Sequence, residues 1–159
     1  MIYDRTKQDV DNAQAIFETK VKAFVSLTDE EKNIMERGRV TTNTLNRIET
    51  AQEAIGEMLV TMGYLNVPIV NKTWLNSDVF FEEDLYRIVN NTKALRKSFF
   101  VLSQNLKDPI PAFDYTNFNI IEKLLYEMSE LIEIVKSNYK RADAYIAGQG
   151  INLPLKGVG

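Results

Sequence analysis

Apolar residues recur at steps of three and four through most of this chain, and that period admits one kind of element. Val10, Ala13, Phe17, Val21 and Phe24 form the first stripe. Ile48, Ala51, Ile55, Met58, Leu59 and Met62 form another, and Phe81, Leu85, Ile88, Thr92, Leu95 and Phe99 a third. Ile121, Leu124, Met128, Leu131 and Val135 make the last, widened by Leu125 and Ile132. Residues spaced this way share one face of an α-helix, so each stripe marks a helix with one side turned to a core. The widened stripe predicts a central helix packed against two neighbours.

The punctuation agrees. Thr6 with Asp9, and Thr28 with Glu31, have capping-box spacing, in which a hydroxyl and a carboxylate each satisfy a backbone N–H at a helix start. Gly38 and Gly63 stand where helices stop,. Asn43 or Thr44 is the expected N-cap of the third helix, and the fifth is expected to follow Thr116. Pro68 biases Val67 toward extended geometry, so "YLNVPIVNKTWLNSD" reads as a connector with a short strand-like "VPIV". The prolines of "KDPIPAFD" end the fourth helix,. The expected fold is all-α, an antiparallel bundle of four long helices and one short one spanning 1–147. An extended arm, 148–159, follows it, because "AGQGINLPLKGVG" is too rich in glycine to continue a helix,.

A chain of 159 residues is long enough for one domain that buries roughly two-thirds of its unfolded surface. It contains neither Cys nor His. Disulfides and thiolate chemistry are therefore excluded, and zinc, haem and most transition metals lose their usual ligands. No cofactor or metal is expected. The net charge of −3 offers no basic excess of the kind that displaces counterions from nucleic-acid phosphates. The N-terminal residues lack the basic start and apolar run of a signal peptide, and no window approaches the roughly 20 apolar residues of a membrane span. A cytoplasmic protein, or one released by another route, is expected.

Carboxylates are the remaining candidates for acid–base chemistry. Asp29, Glu30 and Glu31 form one cluster, and Glu82, Glu83 and Asp84 another. Both fall in the first turn of a predicted helix, where the helix dipole favours acids. General acid catalysis needs a desolvated carboxyl, and these are expected to be solvated. No catalytic residue is assigned.

Two copies of one short pattern stand out, "LNRIE" at 45–49 and the looser "FNIIE" at 118–122. Leu45 and Ile48 read as packing, Asn46 as helix-entry chemistry, and Glu49 as an outward charge. Arg47 is the anomaly. A cation in the first helical turn opposes the dipole and asks for a carboxylate, in this chain or in a neighbouring subunit.

The other candidates for partner binding are weaker. Trp74, the only Trp, is either a plug at the bundle end or, with Tyr64 and Phe80, a stacking platform for a sugar ring. Lys93, Arg96 and Lys97 lie on one helical side, as a solvated face or as a contact for an acidic partner. Ile151, Leu153 and Leu155 alternate around Pro154, as a frayed tail or as an apolar arm laid on a neighbour.

Taken together, "IYDRTKQDVDNA", "TLNRIETAQEAIGEML" followed by "GY", "LYRIVNNTKALRKSF" and "YTNFNIIEKLLYEM" resemble small helical proteins and domains from phage tail and baseplate modules of Gram-positive bacteria. The resemblance runs in order across residues 2–145, and the chain after Ala147 departs from it. It implies a non-enzymatic structural component of a phage tail or a tail-like contractile particle, assembled in the host cytoplasm and present in several copies. Its partners would be other particle proteins. It carries no catalytic residues. The alternative from a different class is a carbohydrate or cell-surface recognition module using exposed aromatic residues.

Overall fold

The computed structural model describes residues 1–64, 69–98 and 107–149, with side chains described to 138. Everything regular in these residues is helical: α1 (Lys7–Ile16), α2 (Asp29–Gly38), α3 (Thr42–Thr61), α4 (Glu82–Ser98) and α5 (Tyr115–Gln149). A π-helical turn, Phe17–Val21, prolongs α1. The all-α expectation holds, but α1 and α2 are both ten residues long, so three helices are long and two are short. Among the described residues there is no strand, and the rest of "VPIV" lies outside them.

Both capping boxes form. The Thr6 hydroxyl accepts from Asp9 N at 3.2 Å while the Asp9 carboxylate accepts from Thr6 N at 2.7 Å. Thr28 and Glu31 repeat the exchange at 3.2 and 3.0 Å. The N-cap of α3 is Thr41, whose hydroxyl accepts from Thr44 N at 3.2 Å, and not Asn43 or Thr44. Asp114 starts α5 by accepting from Asn117 N at 2.8 Å, two residues earlier than expected.

α1 and α2 pack only against each other in any depth. Their crossing is close because Gly38 has no side chain. A Cβ there would sit 2.0 Å from Asp9 O and 2.4 Å from Ala13 Cβ, inside van der Waals contact with helix backbone that cannot yield. Of the first apolar stripe only Ala13 is buried, and Phe24, at positive φ, is 96% exposed. A two-helix layer is too thin to bury that stripe.

The main core lies between α3, α4 and α5. Leu45, Ile48, Ile55 and Leu59 of α3 meet Leu85, Ile88, Val89 and Leu95 of α4. Phe118, Ile121, Leu124, Leu125, Met128 and Ile132 of α5 complete it. α5 touches both α3 and α4, which is what its widened stripe predicts. Phe81 falls outside the α4 stripe at 59% exposed, and Phe99 lies outside the described residues. One polar group crosses this core. Gln52 of α3 donates to Ile88 O and to the Thr92 hydroxyl of α4, both at 2.8 Å.

α5 continues through Gln149, so helical backbone runs past the expected boundary at 147. Among the described residues no helix is long and apolar enough to cross a membrane.

Candidate functional site

The two copies of the repeated pattern occupy the same place in their helices. Asn46 is the fifth residue of α3 and Asn119 the fifth residue of α5. Each sits one turn beyond the helix start, where its side chain can reach a chain segment running alongside. In both cases that segment lies outside the helices, and the amide grips one of its residues by both backbone groups. Asn46 Oδ1 accepts from Trp74 N at 2.8 Å, and Asn46 Nδ2 donates to Trp74 O at 3.0 Å. Asn119 Oδ1 accepts from Arg5 N at 3.2 Å, and its Nδ2 donates to Arg5 O at 2.9 Å.

The Glu three positions later finishes the same job. Residues three apart share a helix face, so Glu49 and Glu122 point at the segments their Asn neighbours hold. Glu49 accepts from Trp74 Nε1 at 3.1 Å and from Lys72 N at 3.2 Å. Glu122 accepts from Arg5 Nη1 at 2.8 Å and from Ile2 N at 2.9 Å. Each Asn-x-x-Glu set thus clamps both the backbone and the side chain of one residue, Trp74 in the first case and Arg5 in the second. An amide supplies one donor and one acceptor to a backbone that needs both, and a carboxylate supplies only acceptors to N–H groups.

Glu49 is therefore not outward. It is buried, as is Glu122, and buried carboxylates need charge as well as hydrogen bonds. Arg87 of α4 supplies it to Glu49, with Nη1 2.7 Å from both carboxylate oxygens, and also bonds Asp84 at 3.1 Å. Glu122 is met by two cations, the buried Arg5 and Arg47. Arg47 Nε donates to Glu122 Oε1 at 2.7 Å and Nη1 to Glu36 Oε1 at 2.8 Å. The carboxylates that Arg47 calls for are in its own chain. With the N-cap at Thr41, Arg47 also lies beyond the first turn.

Burial acts to lower the Arg47 pKa, but the hydrogen bonds to Glu36 and Glu122 outweigh it and leave the guanidinium above its ordinary value. Glu36 is held in turn by the hydroxyls of Thr44, at 3.0 Å, and Thr41. Two arginines and two glutamates thus balance in charge, although Nη2 of Arg5 and of Arg47 is buried without a hydrogen bond. The acids on the surface are also engaged. Burial acts to raise the Asp84 pKa, but hydrogen bonds from Phe81 N and Arg87 outweigh it, and the result is lowered. Hydrogen bonds from Lys20 and Thr28 N lower Glu31.

Trp74 is 3% exposed, with its ring tilted against Phe80 at 5.4 Å between centroids and Lys72 Nζ 3.8 Å from its own centroid. Burial removes it from the surface, so it packs as a plug and offers no face to a sugar. Arg96 bonds Asp108 at 2.8 Å, while Lys97 is exposed. Ile151, Leu153 and Leu155 lie outside the described residues.

Two clefts flank Phe113. One, of about 380 Å³, is lined by Arg5, Gln14, Arg39, Asp114 and Phe118 among others. Its acid, Asp114, serves as a helix cap: burial acts to raise its pKa, but hydrogen bonds from Thr116 and Asn117 outweigh that and lower it. The other, of about 440 Å³, is an apolar groove between Phe80, Phe81, Leu85, Pro111 and Phe113, with Glu82 on its edge. Neither brings a nucleophile together with a free base. Among the described residues no group of three carboxylates is placed to hold a metal. No protein family, curated protein or solved structure matches this chain.

The clamps could be read from sequence only through the repeat itself. Periodicity places Ile48 and Ile121 inward, but the glutamates that follow them, Glu49 and Glu122, carry no apolar signal. Nothing local marks Arg5, Glu36 or Arg87 as partners, because those contacts close over 11 to 117 positions.

Proposed function

We propose that this chain is a non-enzymatic structural component of a phage tail or tail-like contractile particle, acting through protein–protein assembly. The motifs that resemble phage tail and baseplate proteins support this reading, and their buried carboxylates hold non-helical segments to helices. One observation carries it furthest. The buried carboxylates Glu49 and Glu122 each face an arginine, while aromatic side chains are left on the surface, with Phe113 63% and Phe81 59% exposed around one groove. Contiguous exposed apolar surface of this kind marks a docking site. In such an interface the apolar centre sets affinity and the charged rim sets register. Several copies per particle fit a small protein whose use is assembly.

The test is deletion of the gene in a lysogen and imaging of the induced particles. Tails that are missing or incomplete, and restored by the gene in trans, are the expected result. Complete, infective particles from the deletion strain overturn the assignment.

A further inference from the structure

We infer that the groove between Phe80, Phe81, Leu85, Pro111 and Phe113 receives residues 150–159 of a second copy of this chain. Three observations select that occupant. The first is shape and polarity. The groove is apolar, opens beside the start of α5, and carries exposed Phe81 and Phe113. In the sequence "GINLPLKGVG", Ile151, Leu153 and Leu155 alternate, so an extended conformation puts all three on one side. Pro154 holds its own φ near the extended range and leaves no N–H to satisfy there.

The second observation is reach. α5 runs unbroken from Tyr115 to Gln149, about 52 Å at 1.5 Å per residue, and Phe113 lies just before its first turn. Ten residues span at most about 35 Å when fully extended. A chain's own residues 150–159 therefore fall about 15 Å short of its own groove, and only another copy can deliver them. Two copies related by a two-fold axis fill both grooves with both segments, and the assembly closes at two.

The third is charge. The groove is edged by Glu82, with the exposed Glu83 in the next position of the same helix start. The segment brings Lys156 directly after its last alternating leucine and no acidic residue. The inference does not depend on the particle assignment, because self-association of the purified chain is measured without any particle.

The experiment is light scattering on the full chain across a concentration series. The expected result is an apparent mass that rises to twice the 18.3 kDa of one chain. Phe113→Asp, and separately Leu153→Asp with Leu155→Asp, should raise the dissociation constant roughly thirtyfold or more, the loss expected at an interface hot spot. Phe81→Asp serves if Phe113→Asp alters the circular dichroism. Mixing the groove variant with the arm variant should restore heterodimers that neither forms alone. The absence of Cys makes a second readout unambiguous: Glu83→Cys in one molecule should form a disulfide with Leu155→Cys in another. A chain that stays monomeric, a dimer indifferent to the arm variant, or a disulfide confined to one molecule overturns the inference.

Discussion

Arg47, from the first copy of the repeated motif, closes on Glu122, from the second, at 2.7 Å. That contact joins α3 to α5 and ties the clamp on residues 1–5 to the one around Trp74. It also accounts for the difference between the copies. Ile120 stands where Arg47 stands, since Glu49 draws its cation from Arg87 on α4 instead.

Removing Arg47 should therefore destabilise the fold. Glu122 is fully buried and Arg47 about three-quarters so, and breaking a buried pair by deleting one partner costs about 3–5 kcal/mol. Partial exposure and the remaining Arg5 place Arg47→Gln near the lower end. Urea denaturation measures it, and a variant as stable as the wild type or more so means that the pair contributes nothing. Glu122→Gln should cost more, because it leaves two arginines facing a neutral amide.

Asn46→Ala and Asn119→Ala should behave alike. Each strips a hydrogen bond from one backbone N–H and one C=O, and an unsatisfied buried group costs about 1–3 kcal/mol. A loss of about 2–4 kcal/mol in each variant is expected, somewhat less where water reaches the freed groups. Hydrogen exchange separates the two clamps. The Arg5 amide should lose protection in Asn119→Ala alone, and the Trp74 amide in Asn46→Ala alone. Loss of both amides in either variant would mean that the clamps are one cooperative unit.

The helices were legible because their signals are local. Thr6 with Asp9, and the stripe from Ile121 to Val135, act over three or four positions, and both formed. Glu49 misled because a carboxylate beside a core residue is normally solvated, and its cation, Arg87, is 38 positions away. Trp74 showed the same limit from the other side. Its bulk was visible, but the Glu49 oxygen that lets its indole N–H be buried was not. The arginine of "LNRIE" could be flagged as costly, yet only folding reveals that it shares the Glu122 carboxylate with Arg5.

Trp74 offers a direct optical check on the plug. As the only Trp in the chain, it should emit at short wavelength and resist quenching by acrylamide. Trp74→Ala should cost about 3–5 kcal/mol through the cavity it leaves. Trp74→Phe keeps much of the ring but abandons the bond to Glu49 Oε1, so about 1–3 kcal/mol is expected for that variant. An unchanged thermal midpoint in Trp74→Ala would remove the plug, since a residue 3% exposed cannot be lost from a packed core without effect.

Acid should unfold the protein through its helix starts. Hydrogen bonds from Thr6 N and the Thr6 hydroxyl, then from Arg37, hold Asp9 below the usual carboxylate range, and Lys20 with Thr28 does the same for Glu31. A carboxylate depressed in the folded state contributes stability that is fully present above its unfolded pKa, near 4, and is lost as pH falls through the folded value. Unfolding free energy should therefore be flat with respect to these groups from neutral pH to about 5 and decline below about 4. Because Asp9 and Glu31 sit at the starts of α1 and α2, Asp9→Asn and Glu31→Gln should make that decline shallower and lower the neutral-pH plateau. Denaturation series at several pH values in both variants provide the comparison. A decline as steep as the wild type's would place the acid sensitivity elsewhere, in Asp84 and Asp114 at the starts of α4 and α5, whose depressed carboxylates follow the same sign.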